Sequence, residues 1–188
     1  MLILVKHAMP VVLAQVDAHR WELSAAGRRR CPALARELST YQPDVIIASL
    51  EPKALATGQI VAGRLSLPLR TAEGLHEHDR AGVGLLPAGD FEDSVRRFFE
   101  HPEKLVFGNE TADQAWKRFN GALLRALGNY DERSCVVVVT HGTVISLFVA
   151  RANGIEPFPL WRRLGLPSFV VLSRPGFRLL DVIARVKG

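Results

Sequence analysis

This sequence predicts an α/β fold: a three-layer α/β/α sandwich on a mostly parallel central sheet with an antiparallel edge strand. Three observations carry the prediction. Leu2-Ile3-Leu4-Val5, Val45-Ile46-Ile47-Ala48 and Val136-Val137-Val138-Val139 are aliphatic blocks without polar alternation, as expected of strands buried on both faces. Stretches of helical spacing separate these blocks. The last two apolar runs, 168–173 and 178–183, are joined by Arg174-Pro175-Gly176 and read as a hairpin on the sheet edge.

The elements follow in order. A strand over 2–7 leads into an irregular segment reaching Trp21. Ser24 is placed to cap a helix whose buried face carries Cys31, Leu34, Ala35 and Leu38. Pro32 interrupts that pattern, so a kink or a start near Pro32 is expected. The strand within Asp44–Ser49 is followed by Pro52, which suits the first turn of a helix running to Leu65. Leu69–Thr71 is a short strand. Gly74 to Gly89, rich in glycine and containing His76 and His78, reads as a long loop of the kind that usually has a function. A helix over 91–101 follows. Thr111-Ala112-Asp113-Gln114 is a capping box opening a helix with Trp116, Phe119, Leu123 and Leu127 on one face, ending at Gly128 or Asn129. A strand over 135–140 runs into a helix from Thr143 to Asn153, and Pro157, Pro159 and Pro167 mark a turn region.

At 188 residues a single domain, 1–188, is expected. A hydrophobic content of 48% with 23% charged residues fits an ordinary soluble protein with its own core. Met1–Val5 is too short for a signal sequence, and no window approaches the ~18 apolar residues of a membrane span. A cytoplasmic protein is expected, with Cys31 and Cys135 as reduced thiols showing no metal or redox spacing. The net charge is +5, yet acidic residues are interspersed almost throughout. The one basic run, Arg28-Arg29-Arg30, lies on a helix face, so no nucleic-acid surface is expected.

Ligands of parallel α/β sheets bind outside the carboxyl ends of the strands. Lys6-His7 and Thr140-His141-Gly142 lie at that edge, and Lys53 follows the second strand toward it. A phosphoryl group carries ~−1.5 to −2 charge near neutral pH and must be held by cations and N–H groups. A nucleophile must attack it and the leaving oxygen must be protonated. His7 can serve as a nucleophile, since neutral imidazole is abundant near its free pKa of ~6.5. Lys6 and Lys53 can hold phosphoryl oxygens, His141 can donate a further hydrogen bond, and the N–H groups at Gly142 and Thr143 open a helix. Glu77 can protonate the leaving group. Each piece also has a plain reading: a strand-end histidine that is structural, a solvated Lys53, and a His76-Glu77-His78-Asp79 segment that is either a solvated loop or a set of metal ligands.

In this arrangement the sequence resembles the histidine phosphatase superfamily, the phosphoglycerate-mutase-like proteins. Lys6-His7-Ala8 resembles the family's Arg-His-Gly, and Leu23-Ser24-x-x-Gly27 its Leu-Thr-x-x-Gly. Ala48-Ser49-x-x-x-Lys53-Ala54-x-x-Thr57 resembles Ser-Ser-Pro-x-x-Arg-Ala-x-x-Thr. Leu75-x-Glu77 with Gly82, Gly108-x-Glu110-Thr111 and Val139-Thr140-His141-Gly142 continue the match in order, over roughly residues 1–150. The resemblance implies that His7 is phosphorylated during turnover. It implies that His141, Lys6, Lys53, Gly142 and Thr143 form the phosphate pocket. It implies Glu77 as the proton donor, with Glu110 and Asp79 as rivals, and no cofactor or metal.

The departures shape the expectation. Lysines stand where both family arginines would, trading a bidentate fork for a point charge. Ala8 replaces a glycine, and Pro10 and Leu13 stand where many members carry threonine and asparagine. A small phosphatase is expected rather than a mutase. The alternatives are a catalytically weakened or inactive phosphate-ligand binding module, and a metal-dependent hydrolase using His7, His76, His78, His141 and Asp79. Arg80, His76, His78, Arg162 and Arg163, in the 74–101 and 154–167 segments, fit a phosphorylated small molecule or a phosphoprotein as substrate. Trp161 and the edge strands leave the oligomeric state open.

Overall fold

Every apolar block forms a strand, and the strands join in one six-stranded sheet of order β3-β2-β4-β1-β5-β6. The computed structural model describes residues 1–186. The strands are β1 (Leu2–Lys6), β2 (Val45–Ala48), β3 (Leu69–Thr71), β4 (Val136–Thr140), β5 (Ser168–Leu172) and β6 (Leu179–Ile183). The helices are α1 (Ala25–Ser39), α2 (Pro52–Leu65), α3 (Ala88–Glu100), α4 (Ala112–Leu127), α5 (Gly142–Asn153) and α6 (Pro157–Arg163). β1, β2, β3 and β4 are parallel, whereas β5 runs against β1 and closes the edge as a hairpin with β6.

Alternate strand residues serve opposite layers. Leu2, Leu4, Val45, Ile47, Val136 and Val138 pack with Phe119, Leu123, Ile145 and Phe148 of α4 and α5. Ile3, Val5, Ile46, Ala48, Val137 and Val139 pack with Leu34, Leu38 and Val61 of α1 and α2. The sheet is therefore the middle layer of a sandwich. Because β1, β2 and β4 are neighbours pointing the same way, the residues following them meet at one edge. The ladder continues one residue past two of the strand ends: the His7 N–H donates to the Thr140 carbonyl (3.0 Å) and the Ser49 N–H to the Val139 carbonyl (2.9 Å).

Some local expectations change. α1 runs through Pro32 without ending there. Burial of Leu34 and Leu38 on the sheet, and of Cys31 against Ala8 and Leu23, holds the helix together across the one N–H that proline removes. The proline-marked region after α5 contains a helix, with Pro157 in its first turn, where a missing N–H costs nothing. α3 begins at Ala88, ahead of the expected start. Cys31 and Cys135 are free and buried. Among the described residues no helix is long and apolar enough to cross a membrane.

Candidate active site

The shared edge gathers His7, His141, Lys6, Lys53, Glu77, Gly142 and Thr143 around one cavity of about 420 Å³. His7 is buried, and its Nδ1 lies 2.7 Å from the Ala8 carbonyl. A carbonyl oxygen only accepts, so Nδ1 carries the proton and Nε2 keeps the lone pair. The Ala8 N–H is itself fixed on Thr57 Oγ1 (3.1 Å), which donates to the Lys53 carbonyl (2.7 Å). The turn carrying His7 is thus tied to the first turn of α2. Burial, followed by the charges of His141, Lys53 and Lys6, pushes the His7 imidazole well below the usual histidine range.

His141 lies edge-on to His7, with ring centroids 5.1 Å apart. Its Nε2 is 3.0 Å from Ser49 Oγ and 3.6 Å from Glu51 Oε1, while Nδ1 is buried without a protein partner. Burial, then Lys53, pushes this imidazole well below the usual histidine range, against the pull of Glu77. Lys6 packs over Gly142, where an added Cβ would stand 3.0 Å from Lys6 Cε. Its Nζ donates to the Leu164 carbonyl (2.7 Å), and burial lowers its pKa to about 8, with Arg80 adding to the shift and Glu77 opposing it.

Lys53 Nζ donates to the Ala18 carbonyl (2.8 Å) and forms a buried ion pair with Glu51. Glu51 is the hub behind the pocket wall. Besides Lys53 and His141, its Oε1 accepts the Glu77 N–H (2.8 Å). Its own N–H meets Ser49 Oγ at 3.3 Å. The motif reading passed over Glu51, although a carboxylate two residues from a candidate phosphate cation was a usable signal.

Glu77 caps the α5 N-terminus. Its carboxylate accepts the N–H groups of Thr143 (3.1 Å), Val144 (3.3 Å) and His78 (3.0 Å). Burial alone would raise this carboxyl. The opposing influence of His141, Arg80 and those N–H donors prevails and holds it down at about 2. Glu77 is therefore ionised near neutral pH.

The rival acids lie elsewhere. Glu110 pairs with Arg118 and accepts the Asp79 N–H (2.9 Å), and neither Glu110 nor Asp79 lines the cavity. Asp79 Oδ1 instead accepts from the Ala81 N–H (3.0 Å) and Asn109 Nδ2 (3.3 Å), bonds that help hold its carboxyl low although burial opposes them. His78 packs on Phe98 and Phe107, with Nε2 3.2 Å from the Glu110 carbonyl. Burial, aided by Arg80, lowers it to about 4. Burial and Arg118 lower His76, which also stays off the cavity wall. The metal set proposed from His7, His76, His78, His141 and Asp79 is thus dispersed, and among the described residues no three metal-ligating side chains cluster.

Two arginines organise what the lysines leave. Arg80 lines the cavity, lies over the Phe91 ring (4.8 Å) and has a buried Nε without a partner. Arg118 of α4 reaches the carbonyls of Gly74 (2.8 Å), His76 (2.9 Å) and Glu77 (3.0 Å), fixing the loop that presents Glu77. Sequence reading gave no signal for Arg118, which looks like a solvated helix residue. Arg162 and Arg163 do not line the cavity, and Arg162 pairs at the surface with Glu92 (3.1 Å).

A family model described as the histidine phosphatase superfamily (branch 1) matches residues 2–176. The chain belongs to that superfamily. The Bacillus subtilis (strain 168) phosphatase PhoE is 24% identical over 135 residues, covering 72% of this chain and 66% of the relative. In solved structures, a mycobacterial glucosyl-3-phosphoglycerate phosphatase superposes with a TM-score of 0.76 at 20% identity, covering 99% of both chains. A phosphoserine phosphatase variant from Entamoeba histolytica, bound to phosphoserine, gives 0.72 at 19% identity over 97% of this chain and 95% of its own. The fold of this histidine phosphatase family member is therefore phosphoglycerate-mutase-like, and its relatives support a phosphatase in general terms.

Proposed function

We propose that this protein hydrolyses phosphomonoesters through a phosphohistidine at His7. The observation that carries the reading is the His7 Nδ1 contact with the Ala8 carbonyl (2.7 Å), which leaves Nε2 as the lone pair on a ring lining a cation-rich cavity. Nε2 attacks phosphorus, an N–P bond forms, and the ester P–O bond breaks. Lys6, Lys53, Arg80 and His141 Nδ1 hold the equatorial oxygens at the positive end of the α5 dipole. A phosphoryl dianion beside Glu77 raises its pKa by like-charge repulsion, so the carboxyl enters with a proton and gives it to the leaving alkoxide. The resulting carboxylate then draws a proton from water as that water attacks phosphorus, forming a P–O bond while the N–P bond breaks and its electron pair returns to Nε2. Phosphate leaves and His7 is restored.

Brief exposure to a ³²P-labelled ester should label the wild-type protein in an acid-labile form, and His7→Ala should abolish both label and turnover. Turnover in that variant would overturn the reading. A second reading, binding of a phosphorylated ligand without turnover, is favoured by one observation: Lys6 and Lys53 each spend a donor on a protein carbonyl. Saturable phosphate binding with neither label nor product would establish it instead.

A further inference from the structure

The cavity is basic at its floor and mostly apolar beyond it. Its charged lining residues are Lys6, Lys53, Glu77 and Arg80, clustered with the histidines, and beyond them only Asp17. The remaining walls come from three loops and from α3 and α6: Val12, Trp21, Leu85, Phe91, Trp161 and Leu166. Val12 is 51% exposed and Leu85 52%. Apolar side chains gathered around one cavity mark it as a site for an apolar group.

The walls are also fixed in place. Trp21 Nε1 is held by the carbonyls of Val16 (2.8 Å) and Leu13 (3.1 Å), which turns its apolar body free of polar duties. Trp161 stacks on Phe158 and meets Phe91 edge-on, with centroids 5.8 Å apart. Asp17 Oδ1 accepts the Gly82 N–H (3.0 Å), joining two of the loops across the mouth. That carboxylate also disfavours a second anionic group on the ligand. The volume, about 420 Å³, falls within the range of small-molecule sites of roughly 300–1,000 Å³.

We infer that the substrate is a small phosphomonoester whose alcohol part is apolar and uncharged, an aromatic or branched hydrocarbon group seated between the Trp21 and Trp161 walls. The inference rests on the phosphatase reading and narrows it. It departs from the polar metabolite and the phosphoprotein that the loop cations suggested, because Arg162 and Arg163 lie off the cavity.

The test compares esters of primary alcohols, so that leaving-group chemistry stays constant: 2-phenylethyl phosphate against phosphoserine and 3-phosphoglycerate. The expected result is a kcat/KM at least about 30-fold higher for the phenylethyl ester, from burial of its ring. Leu85→Lys, at an exposed position where folding is not at stake, should cut that preference by about 10-fold by wetting and charging the mouth. Equal or better turnover of 3-phosphoglycerate by the wild type would overturn the inference while leaving the phosphatase reading intact. So would a phosphotyrosyl peptide turned over faster than phenyl phosphate. Absence of turnover with all esters, together with no label on His7, would overturn the phosphatase reading itself, and this inference with it.

Discussion

Glu77 and Lys6 are the residues whose protonation the pocket alters most usefully. The Glu77 carboxyl sits at about 2 in the folded protein against an ordinary 4.5. The folded state thus binds fewer protons between those values, and the stabilisation is complete above the upper one and lost as pH falls through the lower. Its size is on the order of 3 kcal/mol. Urea denaturation across this window should show the wild type losing that amount relative to Glu77→Gln. The same variant should lower kcat by about 10²–10⁴-fold for alkyl esters and far less for nitrophenyl phosphate, whose leaving group needs no proton. Equal losses on both esters would remove Glu77 from the acid role. Lys6, brought down to about 8, loses its charge on the alkaline side of neutrality. The free-enzyme profile of kcat/KM should therefore fall above that pH, and Lys6→Arg should move the limb out of range.

Among the elements, α4 controls the site from a distance. Arg118 holds three carbonyls of the 74–77 segment while paired with Glu110. Arg118→Ala should cost about 2–3 kcal/mol, since charged hydrogen bonds to half-buried carbonyls are lost together. Thermal unfolding reads that cost. A kcat loss larger than the KM change would mark the displaced Glu77. Arg118→Lys should recover little, because one ammonium cannot span a guanidinium's fork. The start of α5 is equally constrained. Gly142→Ala would bring a methyl group against the Lys6 stem, so phosphate should bind more weakly while the melting temperature moves little. A competitive phosphate Ki is the measurement.

At the scale of the whole molecule, the strands were legible because buried parallel strands leave unbroken aliphatic runs, as in Val136–Val139. His7, His141, Lys6 and Lys53 were legible because strand ends in a parallel sheet define an edge. What escaped reading depends on long-range contacts. Arg118 meets its carbonyls more than forty residues away in the chain, and no local pattern encodes such a reach. Trp161 reads as a surface residue by position, and only the approach of α3 gives it a wall to build with Phe91. At Pro32 the opposite holds: local propensity allowed a helix start there, whereas α1 begins at Ala25 and contains the proline.

Glu51 touches Lys53, His141 and the backbone of Glu77 with one carboxylate. Lys53, His141 and Glu77 are consequently not independent parts, and their substitutions should fail to add. A double-mutant cycle between Glu51→Gln and Lys53→Arg, read as phosphate affinity, should show a coupling of about 1 kcal/mol or more. An arginine introduced at position 53 alone would inherit a carboxylate already shared with two other groups. Lys53 and Glu51 should therefore respond to substitution as one unit rather than as two.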